Sequence, residues 1–203
     1  MLTGQTSDGM RYAAKRRPGA VACCSISVGC GTRAEAPQPE GTAHFVEHAI
    51  FRGTASRSAR EINSCLDLLG GELNAFTTKE EIVLHATVLK EDLAVALDLL
   101  FDLARNASFP EDEIEIERGV ILDEIISSAD IPSEDIYDNF ESRLFAGSEL
   151  GRRILGTCES VRKVTRDDLA AFYHRCFIPA GMAVSVVADL DEEQMVAMIK
   201  DSS

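Results

Sequence analysis

His44-Phe45-Val46-Glu47-His48 sets two imidazoles four residues apart, with a carboxylate just before the second. On a helix, residues i and i+4 share one face with Cβ atoms about 5–6 Å apart, so both rings can hold one zinc-like ion. Glu47 is three residues from His44 and borders the same face. A carboxylate there can reach a water on the metal without being a ligand, and the chemistry implied is hydrolysis by an activated water. The chain has four histidines in all, so two meeting at this spacing carry information. The competing reading is a solvated His/Glu helix face.

A catalytic zinc takes three protein ligands and leaves a position for water, so two histidines are incomplete. The helix expected after Pro110 offers Glu113, Glu115, Glu117, Asp123 and Glu124. Glu117 and Glu124 are two turns apart and project from nearly the same side. One could reach the metal while the other orients a ligand. Val120, Ile121 and Ile125 are expected to draw that part of the helix inward, whereas Glu111 to Glu115 read as a solvated acidic face. The spacing leaves open which carboxylate binds. His85 and His174 have no partner at ligand spacing and read as structural.

These groups need a scaffold, and 203 residues suffice for one well-buried domain. The 45% apolar and 27% charged fractions are those of a soluble globular protein, and a net charge of -14 disfavours nucleic acid and anionic membranes as partners. No apolar run is long enough to span a membrane, and residues 1–9 lack the pattern of a signal peptide. Cysteines at 23, 24, 30, 65, 158 and 176 include no Cys-x-x-Cys pair. Cys23, Cys24 and Cys30 are expected to be small buried reduced hydrophobes, as in a cytoplasmic protein.

A strand is expected over 20–28, then a loop over 31–40, and a helix opening at Gly41-Thr42 and stopping near Gly53. A second helix over 59–69 carries Ile62, Cys65, Leu66 and Leu69 on its apolar side and ends at Gly70-Gly71. Strands follow over 72–77 and 82–88, then an amphipathic helix over 92–105 burying Leu93, Ala96, Leu97 and Leu100. Pro110 suits the first position of the next helix, which runs to about Ser128. Helices over 133–145 and 165–176, a strand over 182–188 and a short terminal helix complete the chain. Thr165 and Asp168 have capping-box spacing. The unalternated mixture implies an α+β fold, a mixed or antiparallel sheet with helices mainly on one face.

The stretch from Gly41 to Thr54 resembles the zinc helix of the pitrilysin-type, or inverzincin, metallopeptidases almost throughout. Glu117 to Glu124 resembles that family's second metal segment, and Leu73 to Thr77 and Gly151 to Thr157 match two further landmarks. The resemblance covers essentially the whole chain. It implies that His44, His48 and Glu124 bind Zn2+, that Glu47 is the general base, and that Glu117 supports a histidine. It places Asn74 and Ala75 on an edge strand that pairs with an extended peptide or unfolded polypeptide substrate. The implied activity is that of a zinc endopeptidase or oligopeptidase.

The family follows such a domain with a second of similar fold, which supplies an arginine and a tyrosine near the reacting carbonyl. That half is not recognisable here, and Tyr12, Tyr137 and Tyr173 sit in no equivalent motif. The chain is therefore expected to act as a homodimer or with a second peptidase-like subunit. Two alternatives stand beside the peptidase: a noncatalytic or weakly active partner subunit, and a zinc enzyme acting on a nonpeptide substrate.

Overall fold

Short β-forming runs, alternately apolar, dictate the sheet around which the chain is built. In the strand Val21–Val28 (β3), Ala22, Cys24, Ile26 and Val28 are buried while Cys23 points to solvent. One face of the sheet is therefore core and the other is wet, the usual economy of an antiparallel sheet. The computed structural model describes residues 1–68 and 70–203, with the side chains of Leu66 and Glu134 left aside.

Six strands form one mixed sheet among the described residues: β1 (Leu2–Gln5), β2 (Arg11–Arg16), β3, β4 (Glu72–Thr77), β5 (Ile82–Leu89) and β6 (Met182–Ala188). Their spatial order is β1-β2-β6-β3-β5-β4, with β2 and β6 parallel and every other pairing antiparallel. β4 is thus an edge, paired only through Leu73↔Ala86, Asn74↔His85 and their neighbours. The α+β expectation is met. The β1–β2 hairpin was not anticipated, because its polar residues alternate only weakly and its turn depends on Gly9 at φ +93°.

Eight α-helices accompany the sheet among the described residues: α1 (Thr42–Ala49), α2 (Ala59–Asp67), α3 (Leu93–Asn106), α4 (Glu111–Ala129), α5 (Pro132–Leu144), α6 (Cys158–Lys163), α7 (Arg166–Cys176) and α8 (Glu192–Ser202). α3 packs on β3 and β5 and buries Leu93, Ala96, Leu97 and Leu100 completely. Ile62 of α2 is buried as expected, Cys65 is partly so, and Leu66 and Leu69 lie outside the described side chains. Pro110 precedes α4 in an extended conformation rather than opening it. α6 was not expected. It is a six-residue helix started by a Thr157/Ser160 capping box, a pattern weaker than the Thr165/Asp168 box that starts α7.

Cys24 is buried and free as expected, but Cys23 and Cys30 depart from expectation. Cys30, just after β3, is disulfide-bonded to Cys176 at the end of α7, and Cys23 is exposed. A small apolar thiol reads alike in sequence whether free or paired. The partners are 146 residues apart, and only the fold brings their Cα atoms to 5.7 Å.

Candidate active site

The α1 helix begins at Gly41, whose φ of +89° is a left-handed conformation that favours glycine. A Cβ there would lie 2.8 Å from the Leu155 carbonyl oxygen, so the Gly151–Thr157 segment packs directly on the start of this helix. Glu35, whose side chain is fully buried, accepts hydrogen bonds from the amides of Gly41 (3.0 Å) and Ala43 (2.9 Å), groups a helix start otherwise leaves unpaired. Burial pushes the Glu35 carboxyl up to about 8, against the pull of those amides and of Arg152. The α helix gives way after Ala49 to one tighter turn, Ile50–Arg52, ending at Gly53.

Phe45, Val46 and Ala49 bury one side of α1, against a neighbourhood that includes α4 and α7. The opposite stripe turns His44 and His48 together, with ring centroids 4.5 Å apart. α4 crosses this stripe. Glu124 brings Oε2 to 3.7 Å from His44 Nε2 and 3.5 Å from His48 Nε2. These are long for hydrogen bonds. They fit the edges of a tetrahedron around an ion held at about 2.0–2.1 Å, which are roughly 3.4 Å. Among the described residues, His44, His48 and Glu124 form the one group whose ligand atoms all lie within 4.8 Å of one another. The donor set therefore fits zinc.

Glu117 is 2% exposed and bridges the His48 imidazole and the Arg52 guanidinium. His48 Nδ1–H donates to its Oε1 at 2.8 Å, and Arg52 Nε stands 2.5 Å from its Oε2 as an ion pair. Burial alone would raise the Glu117 carboxyl, but His48 and Arg52 outweigh it and hold it below the usual range. His48 is raised: burial opposes its charge, and the hydrogen bond to Glu117 with the charges of Glu47, Glu117 and Glu124 overcomes that. His44 is pushed down to about 3 by burial and by His48, so its ring is neutral at physiological pH, as a ligand must be.

Glu47 stands outside the three-ligand group. Its Oε2 accepts from the Thr77 hydroxyl at 2.5 Å, which ties it to the edge strand β4. Burial raises its carboxyl, with the Thr77 bond and His48 acting against the shift. A 560 Å³ cavity opens beside it, lined in part by Glu47, His48, Phe51, Arg52, Leu73 and Asn74. On β4, the Ala75 amide donates to the Asn74 side-chain oxygen at 2.9 Å, so this edge N–H is satisfied locally. Of the other carboxylates weighed on α4, Asp123 is exposed and Glu115 pairs with Arg118 at 2.9 Å. Val120 is 46% exposed, so the inward pull on this helix comes from Ile121 rather than from it. His85 packs near Phe76 and stands opposite Asn74 in the sheet, and His174 packs near Tyr173; neither belongs to the three-ligand group.

Sequence reasoning did not single out Thr77 or Arg52. Both lie within stretches that carry the resemblance, yet a hydroxyl 30 residues from Glu47 has no signal in spacing.

Residues 11–158 match the sequence family described as Insulinase (Peptidase family M16). The chain belongs to this family. Residues 163–202 match a second description, the Peptidase M16 inactive domain. That boundary does not divide the structure, since β6 from the second match lies between β2 and β3 in the sheet. A protein named as an uncharacterized zinc protease of Mycobacterium leprae is 40% identical over 195 residues, 95% of this chain and 44% of that protein. The mitochondrial-processing peptidase subunit beta of Dictyostelium discoideum is 34% identical over 196 residues, 96% of this chain and 42% of that protein. The chain thus spans less than half the length of these curated relatives.

Among solved structures, the periplasmic protease PqqL of Escherichia coli superposes with a TM-score of 0.91 at 27% identity, over 99% of this chain and 23% of that one. A peptidase M16 inactive domain from Pseudomonas fluorescens gives 0.90 at 18% identity, over 100% of this chain and 50% of that one. The fold is therefore shared with a domain described as inactive, and the case for catalysis rests on the residues.

Proposed function

We propose that this chain is the zinc-holding catalytic domain of a metallopeptidase that hydrolyses peptide bonds. The observation that carries this reading is the convergence of His44, His48 and Glu124, with Glu47 next to them and tied to an unpaired strand edge. His44, His48 and Glu124 would hold the ion, which when bound polarises a water and a peptide carbonyl. Glu47 accepts the proton of the attacking water and passes it to the departing amine. Thr77 fixes the carboxylate in the direction of the cleft. Glu117 holds the His48 ring so that Nε2 keeps its lone pair for the ligand position. Asn74 and Ala75 on β4 offer main-chain groups to an extended peptide, after the Asn74 side chain releases the Ala75 amide.

The remaining carbonyl-stabilising groups would come from a second peptidase-like half or subunit, so the isolated chain turns over slowly. A lost oxyanion donor costs about 10²–10³ in rate. A noncatalytic partner subunit is the second reading, favoured by the relative described as inactive. Among the described residues no helix is long and apolar enough to cross a membrane. The cytoplasmic placement expected from reduced thiols is weakened by the Cys30–Cys176 bond and by the periplasmic setting of the E. coli relative.

Metal analysis with a quenched-peptide library tests the reading. Glu47→Gln is expected to retain zinc and lose hydrolysis, and His48→Ala to lose both. Zinc uptake without cleavage of any peptide, even when mixed with a second half, would transfer the chain to the noncatalytic reading.

A further inference from the structure

We infer that Arg52 is a positioning residue for the metal ligand His48, acting through Glu117. The inference rests on the zinc-site reading above and extends it one residue outward. Arg52 lies beyond the α1 helix, in the turn Ile50–Arg52, so helix geometry alone does not set its direction. The loop that follows is fixed from below. Asp102, 7% exposed, accepts hydrogen bonds from Thr54 (2.8 Å), Ser56 (3.0 Å), Arg57 (2.5 Å) and Asn106 (2.9 Å). Anchored at Thr54, the chain delivers the Arg52 guanidinium to Glu117 Oε2 at 2.5 Å while Glu117 Oε1 receives His48 Nδ1–H at 2.8 Å.

Each oxygen of the buried carboxylate is thereby assigned to one partner. The Arg52 contact is an ion pair without hydrogen-bond alignment, and Oε2 has no hydrogen-bond partner among the described residues, so without Arg52 only the His48 bond still orients the carboxylate. A buried carboxylate that loses one of its two partners is also disfavoured, so side chains around it rearrange. Either response loosens the His48 ring, and groups that orient a ligand typically govern 10- to 100-fold in metal affinity. Arg52 acts at one remove, so the lower end applies.

The test is zinc affinity of the metal-free chain, measured by competition with a chromophoric chelator, for wild type, Arg52→Gln, Arg52→Lys, Glu117→Gln and the Arg52→Gln/Glu117→Gln double variant. Thermal unfolding of each metal-free protein is recorded alongside. The expected result is about 10-fold weaker binding in Arg52→Gln, substantial recovery in Arg52→Lys, and a double variant no weaker than Glu117→Gln. A loss that merely reflects a loosened fold would instead add in full to the Glu117→Gln loss, which overturns the inference. So does Arg52→Gln binding zinc like wild type. Should Arg52→Gln fail to fold, Arg52→Met decides through the His48 Nδ1–H proton resonance of the zinc-loaded protein: a shift supports the inference, and an unmoved resonance overturns it. A wild-type chain that binds no zinc removes the site reading itself, an outcome distinct from all of these.

Discussion

Replacing Thr77 with valine keeps the volume and β-branching of a strand residue and deletes one hydroxyl. That hydroxyl donates to Glu47 Oε2 at 2.5 Å, in a half-buried setting. A hydrogen bond to a charged group contributes about 1.5–3 kcal/mol, and here it stabilises the ionised carboxylate over the acid. Its loss shifts the protonation equilibrium of Glu47 by about 10- to 100-fold toward the acid, at about 1.4 kcal/mol per factor of ten. Burial already raises this carboxyl, so the variant adds to an existing displacement. Glu47 must be ionised to accept a proton, so the acidic limb of kcat/KM is expected to move up by about one to two pH units. Well above the limb, activity should approach that of wild type. Below both limbs it should fall by about 10- to 100-fold. The assay is a pH profile of quenched-peptide hydrolysis by zinc-loaded protein together with its second half, with Thr77→Ser as the conservative control. An acidic limb that stays in place in Thr77→Val, or a uniform loss across the pH range, would refute the argument that Thr77 acts through Glu47.

Glu35 makes a stability prediction. Its folded value of about 8 exceeds the free value of 4.5, so its contribution is full below about 4.5 and is lost as pH rises toward 8, at about 1.4 kcal/mol per unit. Glu35→Gln should match wild type near pH 4.5 and exceed it at pH 8 in urea unfolding. The reverse order would show that the ionised carboxylate and Arg152 are a net stabilising pair. Gly41→Ala combines a left-handed backbone with a Cβ 2.8 Å from the Leu155 oxygen, so a loss of about 1–3 kcal/mol is expected, read as a lower melting temperature with weakened zinc uptake. Cys176→Ser opens a link between residues 146 apart and should cost about 2–5 kcal/mol. Wild type in reductant should then fall to the level of the variant, and equal stability with and without reductant would count against the bond.

The chemistry-bearing residues were legible because their geometry is local. A spacing of four on α1 and seven on α4 fixes which side chains share a face before any tertiary contact forms. The strong strands and long helices were legible for the same reason, since apolar periodicity reports the face each element must bury. Bottom-up, however, the spacing on α4 did not choose between Glu117 and Glu124. The crossing of α4 over α1 leaves Glu117 2% exposed against Arg52 and sets Glu124 over both imidazoles.

Three other features were decided only by the tertiary structure, and each joins residues distant in sequence. Thr77 reaches Glu47 across 30 residues, Arg52 reaches Glu117 across the α1–α4 contact, and Cys30 meets Cys176 across 146 residues. Hydroxyl, guanidinium and thiol side chains have no fixed role until a partner is supplied. The sequence by itself determined which histidines and glutamates share a helix face and the α+β class, because these follow from local periodicity. The tertiary structure decided which carboxylate faces the imidazoles and what holds each one in place, because those depend on how separate elements pack.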